Sequence, residues 1–178
     1  YRLESSYTDH RHPDEVKFSK SIKDDLQRRD FTINAIALDV SEGSVKDMID
    51  MYGGFSDIKD KTIKTVGNPS DRFTEDALRM MRAVRFSSEL GFTINTETKK
   101  AIIKHSELLK KISVERIRDE FTKIILSPEP KRGIEALHEL GLLKFIIPEL
   151  EKAIGVEQNQ AHSCDVWEHL LRSLQHAA

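Results

Sequence analysis

Cysteine is almost missing from this sequence. Cys164 stands alone in 178 residues, which excludes an internal disulfide framework and fits a reducing compartment. His162 and Cys164 sit two apart, without the paired spacing of a zinc site. No run approaches the ~18 apolar residues that a membrane span needs, and no signal-peptide pattern opens the chain. The cytoplasm is therefore the expected compartment. Internal repeats and low-complexity tracts are also lacking. With 33% charged and 38% hydrophobic residues, the composition excludes a disordered chain and indicates a soluble, highly charged globular protein.

Charge of one sign is scarce overall, since the formal balance is only -2, but that balance hides an asymmetry. From Thr98 to Arg132 ten Lys/Arg face five Asp/Glu, whereas Gly133 to Ala178 hold three against seven. A basic middle followed by an acidic end suits a polyanion contacted by the middle only; a solvated helical surface accounts for it equally well. Residue 1 is Tyr, and Asp165 to Ala178 read as a helix running off the end without a stop, so a segment of a longer protein is expected.

Strand signals occupy the first part. Glu15 to Ser19 alternates Val16 and Phe18 with charges, and Ile33 to Val40 is short and apolar. Ser41-Glu42-Gly43-Ser44 suits a hairpin into Val45 to Ile49. Gly53-Gly54 breaks the chain, Thr62 to Val66 reads as one more strand, and Gly67-Asn68-Pro69-Ser70 as a turn. Beyond Ser70 the period becomes helical. Phe73, Ala77, Met81 and Val84 form one stripe of a helix ending near Leu90, with Gly91 as its C-cap. Further helices follow from Asn95 or Thr96 to about Leu109, from Ser113 through Leu126, and from Pro130 to Gly141, before Pro148 stops a short apolar piece. The expected fold class is α+β, a small sheet followed by a helical array.

Three clusters carry chemistry. In Arg28-Arg29-Asp30, the arginines offer planar donor forks for phosphate or ribose oxygens and the carboxylate can orient them; a surface salt-bridge cluster is the plainer reading. Arg79, Arg82 and Arg85 recur every third residue, as a ladder opposite the apolar stripe. Glu75 and Arg79, four apart, can simply pair, yet three arginines so spaced repel one another unless an anion or another polar partner sits there. Gly53-Gly54 is either a turn or a hinge.

In order, Arg28-Arg29-Asp30-Phe31-Thr32-Ile33-Asn34-Ala35, Gly53-Gly54 with Asp57, and Arg72-Phe73 through Arg85-Phe86 closely resemble the bacterial class II tRNA nucleotidyltransferase and poly(A) polymerase family. The resemblance runs nearly end to end, through Ile112-Ser113, Glu115-Arg116-Ile117, Gly141-Leu142-Leu143 and Pro148-Glu149-Leu150. It implies the C-terminal part of a nucleotidyltransferase palm, or head, over 1–66, an all-helical neck that binds nucleotide and RNA over 67–155, and the start of a further helical domain over 156–178. The implied activity is template-independent addition of CMP and AMP to tRNA 3′ ends, with ATP and CTP as substrates and Mg²⁺ as cofactor. Poly(A) addition is the alternative within the family, and a non-catalytic RNA-binding module the alternative outside it.

The resemblance also assigns roles. Arg29 would contact the incoming nucleotide, Asp76 and Arg79 would face its base edge, and Arg82 and Arg85 would continue the nucleotide-binding ladder. Asp30, Asn34 and Glu75 would support them. Gly53 and Gly54 would be a flexible joint, and Lys110, Lys111 and Arg116 would face RNA. The family's Gly-Gly-x-Val-Arg-Asp loop and metal-binding Asp-x-Asp have no match here, so no catalytic residue is assigned, and Glu4 is no safe substitute. The 178 residues alone are expected to be inactive. Asp165-Val166-Trp167-Glu168-His169 resembles the opening helix of an HD phosphohydrolase domain, with His169 as a first ligand of a metal site that the sequence does not complete.

Overall fold

The computed structural model describes residues 2–5, 15–18, 21–41, 44–157 and 164–178. Strands β1 (Arg2–Ser5) and β2 (Glu15–Phe18) pair antiparallel, and helix α1 (Ile22–Gln27) follows. β3 (Ala37–Ser41) and β4 (Ser44–Ile49) form the expected antiparallel pair, with a register irregularity at Asp39 and Val40. The Glu42-Gly43 link lies outside the described residues.

Ile33 is not in a strand, contrary to the sequence reading. Thr32–Asn34 form a 3₁₀ turn, because Asp30 Oδ1 accepts from both Phe31 N–H (2.9 Å) and the Asn34 amide (3.1 Å). Such side-chain bonds offer the backbone an alternative to a ladder. The Gly53-Gly54 pair forms a tight turn. Gly53 adopts φ +72°, a left-handed conformation that glycine enters without strain, and caps helix α2 (Gly54–Lys59). Asp50 accepts from Gly54 N–H (2.7 Å) and Phe55 N–H (2.9 Å), and a Cβ on Gly54 would collide with the Thr32 carbonyl.

β5 shrinks to Thr62–Ile63, and an isolated bridge joins Phe31 to Thr65. The helix expected beyond Ser70 is two helices, α3 (Pro69–Glu75) and α4 (Leu78–Leu90). Asp76 stands extended between them (φ -144°, ψ 104°), and its Oδ1 accepts from Leu78 N–H at 3.0 Å. That satisfies a first-turn donor of α4 as a capping side chain would, so the break is stable. Phe73, Ala77, Met81 and Val84 are nonetheless all buried.

Gly91, left-handed as a C-cap requires, ends α4. β6 (Thr93–Ile94) runs parallel to β5, and Asn95 caps α5 (Thr96–His105), accepting from Glu97 and Thr98 N–H groups. α5 is shorter than expected, since Ser106–Lys111 tighten into a 3₁₀ segment. α6 (Val114–Ile125) and α7 (Pro130–Glu139) start at Ser113 and Pro130 as the sequence indicated. Pro148 opens α8 (Pro148–Glu151) at its first turn, where proline's missing N–H has no helical partner to lose. Finally, Asp165 caps α9 (Val166–Ala177).

α4 is the central helix. It packs on α6, α7 and α3, while α5 lies on α3 and α9 on α7. Met80, Met81, Ala83 and Val84 are fully buried within a core shared with Ile102, Leu109, Ile124, Ile134 and Leu143. Phe31 and Ile63 enter that core, and Phe31 meets Phe86 edge-on at 5.7 Å. The strand-bearing first part is thus anchored to the helices by aromatic and aliphatic burial, which fixes residues 25–31 against α4.

Candidate nucleotide-reading site

Residues 25–30 and 72–82 meet along one polar seam. Asp25, on α1, accepts from Arg28 (Nε, 3.1 Å) and Arg29 (Nη2, 2.7 Å). Burial pushes the Asp25 carboxyl up, but the hydrogen bonds and charges of Arg29 and Arg28 outweigh it and hold it below its ordinary value. Arg29 keeps about half of its side chain exposed. Asp25 was not among the expected site residues, although its spacing of three and four from the arginines is a readable signal.

Asp30 closes the seam from below. Its Oδ1 takes Phe31 N–H and the Asn34 amide, and its Oδ2 takes Arg82 through Nε (2.7 Å) and Nη2 (2.6 Å). Burial raises its pKa, yet the Arg82 charge and these hydrogen bonds prevail, so the carboxyl is held below its ordinary value.

Glu75 is gripped on both sides, by Arg72 Nη2 (2.7 Å) on Oε1 and Arg79 Nη1 (2.7 Å) on Oε2. Arg72 also reaches the Gln27 carbonyl (3.3 Å), and Arg79 the carbonyls of Arg72 (3.2 Å) and Arg28 (3.3 Å). Asp76 Oδ2 accepts from Arg116 Nη2 at 2.8 Å.

The ladder geometry needs correction. Arg79, Arg82 and Arg85 do not line one free side of α4, because each goes to a different carboxylate. Arg85 is buried between α4 and α6 on Glu120 (3.0 Å), which also takes Lys123. The partners that relieve the repulsion come from Glu75, Asp30 and Glu120, two of them distant in sequence. Asp76 and Arg79 also do not share one helix, since Asp76 lies in the break; the Arg79 N–H donates to the Asp76 carbonyl there at 3.1 Å.

Arg116, expected on the RNA face, pairs with Asp76 in the seam. Lys110 and Lys111 are exposed at the end of the 3₁₀ segment, Lys110 lying 5.0 Å from the Phe145 ring centroid. Among the described residues, no three His, Cys, Asp or Glu gather as a metal site. His169 is exposed and gathers with no such group among the described residues. Among the described residues no helix is long and apolar enough to cross a membrane.

Two family models match this chain, "Poly A polymerase head domain" over residues 1–64 and "Probable RNA and SrmB- binding site of polymerase A" over 91–154. The CCA-adding enzyme of Anoxybacillus flavithermus is 49% identical over 150 residues, covering 84% of this chain and 36% of that protein. That of Limosilactobacillus reuteri is 51% identical over 153 residues, 86% of this chain and 37% of the relative. The Bacillus stearothermophilus CCA-adding enzyme in complex with CTP superposes with a TM-score of 0.73 at 45% identity, over 79% of this chain and 35% of that one. A tRNA nucleotidyltransferase complexed with a primer tRNA and an incoming ATP analog gives 0.66 at 32% identity, over 79% and 40%. The chain thus spans little more than a third of these relatives' lengths. With both of the family's domains matched in order along a fold of the same kind, the chain belongs to the CCA-adding tRNA nucleotidyltransferase and poly(A) polymerase family.

Proposed function

We propose that this chain is the base-reading and RNA-holding part of a template-independent nucleotidyltransferase that adds CMP and AMP to tRNA 3′ ends in the cytoplasm. The reading rests on one observation: at the α3–α4 break, acceptor-only Asp76 and donor-only Arg79 are joined through the Arg79 N–H and the Asp76 carbonyl (3.1 Å), both side chains are partly shielded from water, and Arg79 also reaches the Arg28 carbonyl, next in sequence to Arg29. The names of the relatives favour CCA addition over poly(A) addition. CTP and ATP are the substrates, and Mg²⁺ is held by carboxylates other than those described here.

Cytosine and adenine each place an amino donor beside a ring-nitrogen acceptor on the pairing edge. Uracil and guanine place a carbonyl acceptor beside a ring N–H. An ionised Asp76 only accepts and Arg79 only donates, so the pair complements C and A and leaves unmatched groups against U or G. Each unmatched group costs roughly 1–3 kcal/mol, about 5- to 150-fold in discrimination. Entry of a base requires Arg79 to exchange a protein carbonyl for the ring nitrogen. Arg29 meets the rest of the nucleotide, a role supported by the half of its side chain that is exposed.

Incorporation of all four nucleotides by Asp76→Ala and Arg79→Ala in the full-length protein tests this. Relaxed selection against UTP and GTP is expected. A uniform loss of activity with unchanged nucleotide ratios would make the break a structural support only.

A further inference from the structure

We propose that Lys110 and Lys144, gathered over the ring of Phe145, form a clamp for one phosphate of the tRNA backbone. The proposal rests on the RNA-holding role given above and adds Lys144 and Phe145 to it, both within the region matched to an RNA-binding site.

Two short 3₁₀ pieces bring the lysines together. Lys110 stands near the end of Ser106–Lys111, and Lys144 and Phe145 belong to the turn Leu143–Phe145 that packs against it. Leu109 and Leu143, each fully buried, fix both pieces to the core, and the partly buried Phe145 packs on that core as well. Each ammonium lies 5.0 Å from the Phe145 ring centroid, so the two nitrogens are separated by no more than twice that distance. Like charges at such range repel, and an anion between them relieves both at once.

The way these lysines are held separates them from the other bases of the region. Lys100, Lys123 and Lys131 each meet a carboxylate at 2.8, 3.0 and 2.8 Å, which offsets their charge. Lys144 is exposed and makes no ion pair among the described residues, and the Glu107 near Lys110 is 3.9 Å away on a side chain that is 77% exposed. A ring face attracts an ammonium through its quadrupole without neutralising it, and leaves N–H donors turned outward for phosphate oxygens. A lysine meets phosphate as a point charge and reads no base, so the clamp grips RNA of any sequence. The triphosphate of the incoming nucleotide is the other phosphate at hand, but none of the hydrogen bonds of the base-reading seam involves either lysine.

The test uses Lys110→Gln, Lys144→Gln, the double variant and Phe145→Leu in the full-length protein. Lys104→Gln, at an exposed lysine of α5 with no aromatic ring beneath it among the described residues, is the control. Affinity for tRNA lacking its CCA end is measured at several salt concentrations, and affinity for CTP separately. Lys110→Gln and Lys144→Gln should each weaken tRNA binding about 3- to 5-fold, with CTP affinity within about twofold of the parent. The double variant should make the salt slope shallower by about one. Its loss should fall short of the product of the single losses, because both lysines share one phosphate. Phe145→Leu keeps the charges but not the ring, so affinity should fall about 2- to 3-fold with the salt slope unchanged.

Losses no larger than that of Lys104→Gln would reduce the cluster to diffuse surface charge and overturn the proposal. Single losses that multiply in the double variant would mean two separate contacts, and the shared clamp would fail. A fall in CTP affinity equal to that for tRNA would assign the lysines to the triphosphate instead. If the parent protein bound tRNA no more tightly at low salt than at high, the RNA-holding role would fail first, and the clamp with it.

Discussion

Asp30 shows at the scale of one residue how this site is held. The carboxylate is nearly buried, yet three separate groups donate to it, and Arg82 supplies a full positive charge from α4. Its pKa is lowered on folding, so its stabilising contribution is complete above the unfolded value near 4 and is lost as pH falls through the folded value. Asp25 follows the same sign, beside Arg28 and Arg29. Thermal melts should therefore show the midpoint dropping steeply below about pH 4. Asp30→Asn should cost roughly 1–3 kcal/mol at neutral pH and flatten part of that acid limb. A variant as stable as the parent at pH 7 would mean that the Arg82 pair only offsets its own desolvation. The pairing of Asp25 with Arg28 and Arg29 is legible in the sequence because it is local. Nothing in the sequence points from Asp30 to Arg82, 52 positions on, because only packing brings them together.

At the scale of elements, local signals located the C-cap of α4 at Gly91, the N-cap of α5 at Asn95 and the starts of α6 and α7, since those signals act within a few residues. It overran where a polar side chain competes with the backbone, at Asp76 and at the Asp30–Asn34 turn. Close helix approach was equally hidden. Gly133 on α7 sits where a Cβ would collide with Ile124 Cγ2 on α6 and lie 3.3 Å from Ser88 Cβ on α4. Ile124 and Ser88 are both fully buried and have little room to move. Gly133→Ala is therefore expected to destabilise by about 1–3 kcal/mol through overpacking, despite alanine's better helix propensity. Urea denaturation would show a lower midpoint with an unchanged slope. An unchanged or raised midpoint would mean that α7 shifts to accept the methyl group.

Across the whole molecule, the basic stretch from Thr98 to Arg132 is more neutral than its composition suggests. Lys100, Lys110, Arg118, Lys123, Lys131 and Arg132 each have a carboxylate within 4.0 Å, as does Arg116. The Lys110 contact is the loosest of these, at 3.9 Å on an exposed side chain, which leaves its charge available. Lys110→Glu with Lys111→Glu should weaken tRNA binding and reduce its salt dependence while leaving CTP affinity almost unchanged. Filter binding at several salt concentrations, beside CTP titration, measures both; equal losses would place the RNA surface elsewhere. By itself the sequence determined the helices, their caps, the α+β class and the family motifs, because each depends on neighbours in the chain or on an ordered pattern of residue types. Only the tertiary structure decided which carboxylate each arginine meets. Arg85 became a core residue, Arg82 the partner of Asp30, and Arg116 the partner of Asp76, because those outcomes depend on how α4 and α6 pack and not on the spacing along either helix.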